Sequence, residues 1–396
     1  MDLLLVLEHH FYKDQNNKYW CRRVINREFI ERYLEIFEDI TIFARVDDIN
    51  AKEAEKNNYN KISGNNTNFL ELPDFRGIKS LILNLVKIIS KFKYNYNNYN
   101  CIMFRAPSPL SLLLYRFVRN NKIIGVEFVM GADNFFAKKG IINKSLNKFI
   151  DNEAKNLCLK ANGVSYVTSN YLQQKYPSYS IKYSEDDKHF DCHYSSVKLE
   201  DYNYVKKDWN KNDIPKEFKI IHIGYMDSNR KGHKILIKSI KNVIQQGYSI
   251  KAIFIGDGKM KEEFIELADN LNIKNKINFF GATNNKKLIV DFLKKSHLFV
   301  LPSKSEGLPR VIIEAMAAST PCIASNADGI PELVDDEFII ESNLPKDYAN
   351  KIIELINNWP KMIEVSRSNY KKSLEFHKDK LKNKRNSFYK KLKQIK

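Results

Sequence analysis

Two glutamates, Glu306 and Glu314, stand eight residues apart in the segment HLFVLPSKSEGLPRVIIEAMAAS. The apolar run His297–Leu301 predicts a buried strand, and Pro309 fits the first turn of a helix that continues to Ala318. The first carboxylate would then lie on the loop after the strand, and the second about a turn and a half into the helix. Between them, the free N–H groups of the helix start can bind an anion. This combination suits a nucleotide sugar, although glutamates at such a spacing also occur on solvated helices.

Apolar runs and amphipathic segments alternate through the C-terminal half and predict the elements that position these residues. The predicted strands are Lys219–Ile223, Ser249–Ile255, Lys276–Phe280, His297–Leu301 and Pro321–Ala324. The predicted helices are Lys234–Gln246, Lys259–Leu271, Lys286–Lys295 and Arg310–Ala318. Such alternation predicts an α/β fold with a parallel doubly wound sheet, whose ligands bind outside the carboxyl ends of the strands. Turns that contain a glycine follow those ends at Gly224, Gly256, Gly281, Gly307 and Gly329.

The N-terminal half has a similar but less regular pattern. Its predicted strands are Leu3–Leu7, Ile40–Phe43, Cys101–Phe104, Ile123–Val129 and Gly163–Val167. Its predicted helices are Glu28–Phe37, Ile78–Phe92 and Leu110–Asn120. The Asn-rich interval Asn50–Asn66 predicts a long surface loop, and Trp359–Lys396 predicts a basic helical tail. Two α/β domains in series are the simplest architecture for 396 residues.

The net charge of +18 is unevenly distributed along the chain. Residues 51–150 hold 16 Lys or Arg against 6 Asp or Glu, and residues 351–396 hold 14 against 4. Residues 301–350, which include the glutamate pair, hold 3 against 9. Patches of basic charge favour an anionic membrane surface or an anionic acceptor, with a surface that only promotes solubility as the alternative.

Cysteine usage and hydropathy indicate a protein of a reducing compartment. The five cysteines are scattered and form no CxxC pair, which argues against disulfides and a structural zinc site. No apolar stretch has the length of a membrane span, and the chain opens directly into a predicted strand. We therefore expect a cytoplasmic protein, with peripheral contact to the inner membrane face as an extension of the charge argument.

With these motifs in order, the C-terminal half resembles retaining glycosyltransferases of family 4. The resemblance is carried by Lys231-Gly232, Gly256-Asp257-Gly258, Ser305-Glu306-Gly307 through Glu314, and Gly329-Ile330-Pro331-Glu332. It implies the GT-B fold, in which two Rossmann-like domains face each other across a cleft and the C-terminal helix returns to the N-terminal domain. The implied divisions are an acceptor-binding domain at 1–205, a nucleotide-sugar-binding domain at 206–360 and a basic helix at 361–396.

The resemblance also implies the roles of individual residues. Glu314 would accept hydrogen bonds from the ribose hydroxyls, Glu306 would hold the donor sugar, and Lys231 would stabilise the departing diphosphate. The implied donor-binding set is Gly224, Tyr225, Arg230, Lys231, Gly256, Gly281, Ala282, Glu306, Gly307, Leu308 and Glu314. No metal and no cofactor are expected beside the nucleotide-sugar substrate.

This sequence departs from the family pattern at two positions. Tyr225 stands where many members have an arginine for the diphosphate, and Arg230 could compensate. Asp133 follows a late N-domain strand where members often have a histidine, and it could take a catalytic role or cap the loop. His10 and Arg105 follow other N-domain strands, so we expect them to meet the acceptor.

The sequence therefore predicts a retaining, metal-independent hexosyltransferase that acts on a glycan or lipid-linked acceptor in cell-surface polysaccharide synthesis. Two alternatives have their own motivation. A nucleotide-sugar 2-epimerase would share the fold but need no acceptor. A nucleic-acid-binding protein would explain the basic charge, but the chain holds no RNA- or DNA-binding motif.

Overall fold

The computed structural model of the protein describes residues 1–22, 25–75, 77–132, 141–209 and 214–395. The chain forms two compact units. Unit 1 contains Met1–Tyr194 and Lys382–Lys396, and unit 2 contains Ser195–Leu381. The units thus join about ten residues before and about twenty residues after the joins that the resemblance implies at 205/206 and 360/361.

Unit 1 is built on one mixed sheet. Its strands are β1 (Leu3–Lys13), β2 (Tyr19–Cys21), β3 (Ile40–Asp48), β4 (Asn60–Lys61), β5 (Thr67–Leu72), β6 (Cys101–Ala106), β7 (Ile123–Phe128), β8 (Gly163–Tyr166) and β9 (Phe190–His193). Its helices are α1 (Arg27–Leu34), α2 (Ala51–Lys56), α3 (Gly77–Asn95), α4 (Pro109–Leu114), α5 (Ile141–Lys160), α6 (Tyr171–Lys175) and α7 (Tyr179–Tyr183).

The centre of this sheet is parallel, in the order β5-β3-β1-β6-β7-β8-β9. The first five residues of β1 are completely buried between β3 and β6, which explains their unbroken apolar sequence. β1 continues past the predicted Leu7 as far as Lys13, where it pairs with the antiparallel strand β2. Periodicity alone did not predict this extension of β1 or its antiparallel pairing with β2.

Unit 2 has the regular alternation that the sequence predicts. Its strands are β10 (Phe218–Ile223), β11 (Ile250–Ile255), β12 (Ile277–Gly281), β13 (Leu298–Leu301), β14 (Cys322–Ser325) and β15 (Ile339–Ile340). Its helices are α8 (His233–Gln245), α9 (Lys261–Asn270), α10 (Lys286–Lys295), α11 (Arg310–Ala317), α12 (Pro345–Asn357) and α13 (Trp359–Ser373), and α14 (Lys378–Gln394) runs from this unit into unit 1.

All six strands of unit 2 are parallel, in the order β12-β11-β10-β13-β14-β15. This is the doubly wound order in which the direction of strand addition reverses between β10 and β13. In sheets of this kind the loops from the two strands diverge at that point and leave a crevice above their carboxyl ends. The predicted doubly wound sheet is therefore confirmed.

The return of the C-terminal helix to unit 1 has a packing reason. Leu392 and Phe388 of α14 pack directly against Gly125 and Gly163 of the sheet. A Cβ atom added at either glycine would come within 2.8 to 3.0 Å of these side chains, so a larger residue would not fit there. The buried Tyr389 donates its hydroxyl to Glu127 Oε1 at 2.5 Å. Helix α14 therefore packs against two glycines and is held by a hydrogen bond to one buried carboxylate.

One prediction about the N-terminal half was wrong. The interval Asn50–Asn66 is not a continuous loop, because it contains α2 and the short strand β4. The Asn50 side chain caps α2 by accepting the N–H of Lys52. Asparagine in this chain therefore supplies helix caps as well as loops.

Candidate functional site

The candidate site lies at the carboxyl ends of β10 and β13, where the strand order of unit 2 reverses. A short 3-10 turn after β10 carries Lys231, and the loop after β13 carries Glu306. The two side chains meet, with 2.6 Å between Lys231 Nζ and Glu306 Oε1. Glu306 is 7% exposed and Lys231 is 21% exposed, so the pair is shielded but open on the lysine side. The structure thus brings together two residues that sequence reasoning assigned to the same chemistry.

The loop of Glu306 is held by the loop after β14. The backbone N–H of Glu306 donates to Asp328 Oδ2 at 2.7 Å, and the N–H of Gly329 donates to the carbonyl oxygen of Gly307 at 3.1 Å. Asp328 adopts a left-handed backbone conformation with φ of 50°. Gly329 has a φ of −84°, so the positive φ of this turn belongs to Asp328 and not to the glycine. Asp328 is a site residue that the sequence offered only as part of a turn.

Arg230 points toward the same loop. Its Nε donates to the carbonyl oxygen of Ser305 at 3.1 Å. Its own carbonyl oxygen accepts the N–H of Lys304 at 2.8 Å and the hydroxyl of Ser303 at 3.2 Å. The rest of the guanidinium has no acceptor among the described residues. A second cation therefore lies next to Lys231.

Two glycines let the loops approach each other closely. Gly256 has a φ of 149°, and a Cβ there would stand 1.9 Å from the carbonyl oxygen of Gly224. A Cβ on Gly224 would stand 2.9 Å from Cγ of Lys231. The N–H of Gly224 donates to Ile255 and that of Gly256 donates to Gly281, both to carbonyl oxygens at 2.9 Å. These glycines therefore shape the crevice rather than offer their own N–H groups to a ligand.

The start of α11 presents free backbone donors. The helix begins at Arg310, the first residue of the predicted helix, with Pro309 as its cap residue, and no side chain caps it. The N–H groups of Gly307 and Leu308 donate to no acceptor within the described part of the chain. Unpaired N–H groups at the start of a helix attract an anion.

Glu314 lies in the second turn of α11 and is half-buried. Its carboxylate has no hydrogen-bond or ion-pair partner among the described residues. Burial raises the pKa of this carboxyl above its ordinary value, and the charges of Arg310 and Lys286 oppose the shift. A carboxylate that is partly desolvated without a partner is costly, which is typical of a group that waits for a ligand.

Two buried histidines behind Lys231 were missed by the sequence reasoning. His222 on β10 and His233 at the start of α8 are in edge-to-face contact, with 4.5 Å between ring centroids. Nδ1 of His222 lies 2.8 Å from the carbonyl oxygen of Val300, so this nitrogen carries the proton. Burial lowers the pKa of His222 to about 4 and that of His233 to about 2, so both rings are neutral at pH 7. The charge of Lys231 is close enough to both rings to favour their neutral form.

Other predicted donor residues line the rim of unit 2. Tyr225 and Ala282 are exposed, and the carbonyl oxygen of Gly281 is occupied by the N–H of Gly256. Phe280 is also exposed in part, and its ring lies edge to face with Phe292, 4.8 Å between centroids. An exposed aromatic ring beside a sheet edge could stack on a base.

The N-domain candidates His10 and Arg105 lie in unit 1. Nε2 of His10 lies 3.4 Å from Oδ1 of Asp74, and its ring stacks on that of Tyr12. Arg105 donates to Oε2 of Glu127 at 2.6 Å, so its charge is compensated inside the unit. Asp133 lies outside the described residues.

One group in unit 1 has the donor set of a metal site. Ligand atoms of His10, Asp47 and Asp74 all lie within 4.8 Å of one another. One imidazole and two carboxylates are ligands that divalent transition metals accept. The expectation of a metal-free enzyme stays a prediction.

Comparison with known proteins agrees with this geometry. The family model described as "Glycosyl transferases group 1" matches residues 205–372. The protein CapJ of Staphylococcus aureus is 31% identical over 361 residues, which are 90% of this chain and 86% of CapJ. An Escherichia coli UDP-Gal:alpha-D-GlcNAc-diphosphoundecaprenol alpha-1,3-galactosyltransferase is 31% identical over 127 residues, 31% of this chain and 32% of the relative. The crystal structure of Anabaena HepE in complex with UDP-glucose superposes with a TM-score of 0.66 at 15% identity, covering 98% of both chains.

The chain belongs to the group 1 family of glycosyl transferases, and it has the GT-B fold of its structural neighbours. The predicted fold class is confirmed, as is the prediction of a glycosyltransferase; family 4 and retention stay predictions. In the described ranges of the chain, no helix combines the length and the apolarity that crossing a membrane requires.

Proposed function

We propose that this glycosyltransferase moves a hexose from a nucleotide diphosphate sugar to a glycan or a lipid-linked acceptor, with retention at the anomeric carbon, in cell-surface polysaccharide synthesis. The observation that carries the proposal is the contact of 2.6 Å between Lys231 and Glu306. Glu306 is followed directly by the free N–H groups of Gly307 and Leu308, which precede α11. HepE, the structural neighbour described as a complex with UDP-glucose, supports a donor of this class.

Each group in unit 2 has a task in donor binding under this proposal. Glu314 accepts hydrogen bonds from both ribose hydroxyls, because an unpaired carboxylate offers two acceptor oxygens to a vicinal diol. The N–H groups of Gly307 and Leu308 donate to the diphosphate, and Glu306 orients hydroxyls of the sugar. The hydrogen bonds from the diol offset the free-energy cost of the partial desolvation of Glu314. Part of the donor affinity therefore comes from supplying partners to a group that has none in the free enzyme.

Lys231 and Arg230 act on the leaving group. As the bond between the anomeric carbon and the phosphate oxygen breaks, negative charge develops on that oxygen, and a fixed cation there lowers the barrier. Glu306 holds the Lys231 ammonium in place before the donor arrives. Arg230 supplies the second cation that Tyr225 does not.

The acceptor hydroxyl attacks the anomeric carbon on the face that the leaving group vacates. The new bond joins the acceptor oxygen to that carbon, the bond to phosphate breaks, and the proton of the hydroxyl passes to the departing phosphate oxygen. This path needs no separate base. It also needs no bound metal, which stays a prediction, as does the catalytic role of Asp133.

A panel of nucleotide sugars, screened by thermal shift with and without EDTA, tests the proposal. We expect one donor to stabilise the protein equally in both conditions. Glu314→Ala should abolish the shift, whereas Glu306→Ala should lower turnover more than donor affinity. Full activity of either variant would contradict the role proposed for that glutamate.

The chemistry is tested by the anomeric configuration of the product. Proton NMR of the first-formed glycoside should show the same configuration as the donor. An inverted product would refute retention. An epimerised donor in the absence of acceptor would refute transfer itself.

A further inference from the structure

Helix α3 of unit 1 exposes large apolar side chains that its fold does not use. Leu83 is 83% exposed, Val86 is 75% exposed and Ile82 is 62% exposed. The opposite side of the helix is already buried, with Ile88 and Phe92 in the core of the unit. Contiguous exposed apolar surface marks an interaction site. A helix that is apolar on both sides is therefore expected to bind a second apolar environment in addition to the core.

Lysines share this exposed side. At 100° per residue, Lys79, Lys87 and Lys93 fall on the same arc of the helix as the exposed aliphatic residues. Lys79 and Lys87 have no acidic partner among the described residues, and Nζ of Lys93 lies over the ring of Phe117 at 4.4 Å. We name the surface formed by Lys79, Ile82, Leu83, Val86, Lys87 and Lys93 the α3 face.

The surroundings of the α3 face are basic in sequence. From Gly77 to Val126 the chain has eight Lys or Arg and no Asp or Glu. The basic C-terminal helix differs, because three of its lysines are paired with glutamates of unit 1. These pairs are Lys382 with Glu35, Lys391 with Glu185 and Lys393 with Glu38. On α3, by contrast, Lys79 and Lys87 have no acidic partner among the described residues and lie beside exposed apolar side chains.

We infer that the α3 face docks on an anionic lipid bilayer. A helix of 19 residues, about 28 Å long, can lie in the plane of the interface with Ile82, Leu83 and Val86 among the acyl chains. The long stems of the lysines let their ammonium groups reach anionic headgroups above that level. This inference deepens the proposed function, since it rests on an acceptor that is held at a membrane.

The charge pattern favours a bilayer over a second copy of the chain. A symmetric dimer through the α3 face would bring the same patch of both copies together. The lysines of one copy would then face those of the other without an acidic residue on either α3, and like charges across an interface are costly. An anionic bilayer compensates the lysines and accepts the aliphatic side chains at the same time.

Co-sedimentation with vesicles tests the inference on the full-length protein. We expect binding to vesicles of phosphatidylcholine with about 30% phosphatidylglycerol, a composition that gives the surface a negative potential. Leu83→Ser should weaken binding about tenfold, because the side chain no longer enters the acyl region. Lys79→Gln and Lys87→Gln should each weaken it about fivefold on anionic vesicles and less at high salt.

Matched controls separate a local effect from general loss. Leu344→Ser removes an exposed leucine from unit 2, and Lys238→Gln removes an exposed lysine from α8. Both should bind vesicles like the natural protein. Equal binding by Leu83→Ser would overturn the inference, as would absence of vesicle binding by the natural protein or a concentration-dependent dimer that Leu83→Ser abolishes.

A second readout keeps this test separate from the proposed function. The donor-induced thermal shift without vesicles should be unchanged in every α3 variant. If the natural protein binds vesicles but no donor produces a thermal shift, only the proposed function is refuted. An intact donor shift without vesicle binding would defeat only the membrane inference.

Discussion

Replacement of Lys231 by alanine should lower both turnover and stability, because the lysine has two tasks. It neutralises Glu306, which is 7% exposed, and in the proposed mechanism it stabilises the leaving diphosphate. A buried charge that loses its partner costs about 3 to 5 kcal/mol, and we expect about 1 to 3 kcal/mol for this pair because its lysine side is open to water. Loss of a cation at the developing charge should lower kcat about a hundredfold or more.

The assays are urea unfolding of the free protein and release of nucleotide diphosphate in the transfer reaction. Tryptophan fluorescence suits the first assay, because Trp209 and Trp359 lie edge to face within unit 2. The double variant Lys231→Met with Glu306→Gln should recover most of the lost stability, since no unpaired charge remains, but none of the lost turnover.

Lys234→Ala is the matched control. Lys234 also pairs with a glutamate, Glu263, but both side chains of that pair are at least a third exposed. Exposed ion pairs contribute about 0 to 1 kcal/mol, so this variant should change stability little and turnover not at all. The reasoning is refuted if Lys231→Ala keeps its kcat, or if it is no less stable than Lys234→Ala.

Three further predictions concern other parts of the structure. Burial raises the pKa of Glu314, so donor affinity should fall on acidification at a pH above the ordinary glutamate range, and Glu314→Gln should lose that pH dependence in a donor titration. Gly256→Ala should destabilise the protein by at least about 2 kcal/mol in urea unfolding, since the new Cβ meets a carbonyl oxygen, whereas Gly247→Ala, with open space around it, should cost only about 1 kcal/mol of backbone strain. Two arginines lower the pKa of Glu127 to about 2, so its stabilising effect, about 3 kcal/mol, is complete above pH 4.5 and declines as the pH falls toward 2. The difference in urea midpoint between Glu127→Gln and the natural protein should therefore narrow below pH 4.5, and a constant difference would contradict this stabilising role of the ionised carboxylate.

The sequence predicted unit 2 closely because its elements obey simple periodicities. The predicted helix Lys286–Lys295 has those bounds in the structure, and the predicted strand His297–Leu301 begins one residue early. Parallel strands buried on both faces consist of unbroken apolar runs, so their bounds can be read directly. The glycine turns predicted the edge of the sheet at which ligands bind, and the family resemblance, rather than periodicity, added Lys231 to Glu306 there.

Unit 1 was harder because contacts distant in sequence decide its details. The strand β5, Thr67–Leu72, was missed in an Asn-rich context, and it forms because β3 offers it an edge. Arg105 has the register of Glu127 on the adjacent strand, and the two side chains form an ion pair. A lone arginine after a strand looks like a ligand-binding group until the register of its neighbour is known. Its role toward the acceptor stays a prediction.

The buried Glu127 and the half-buried Glu314 show how the structure distinguishes a charge that stabilises the fold from one proposed to bind a ligand. Glu127 accepts the hydroxyls of Tyr33, Tyr194 and Tyr389 and is paired with two arginines, so burial is fully compensated and its pKa falls. Glu314 has no such partners in the described part of the chain, and its pKa rises. A fold tolerates the second situation only if the cost is recovered elsewhere, and in the proposed function the binding of a diol recovers it. The same contrast holds for lysines, since those of the C-terminal helix are largely paired while those of the α3 face are not. Unpaired charge next to desolvated or apolar surface is therefore the feature that the proposed donor site and the proposed membrane surface have in common.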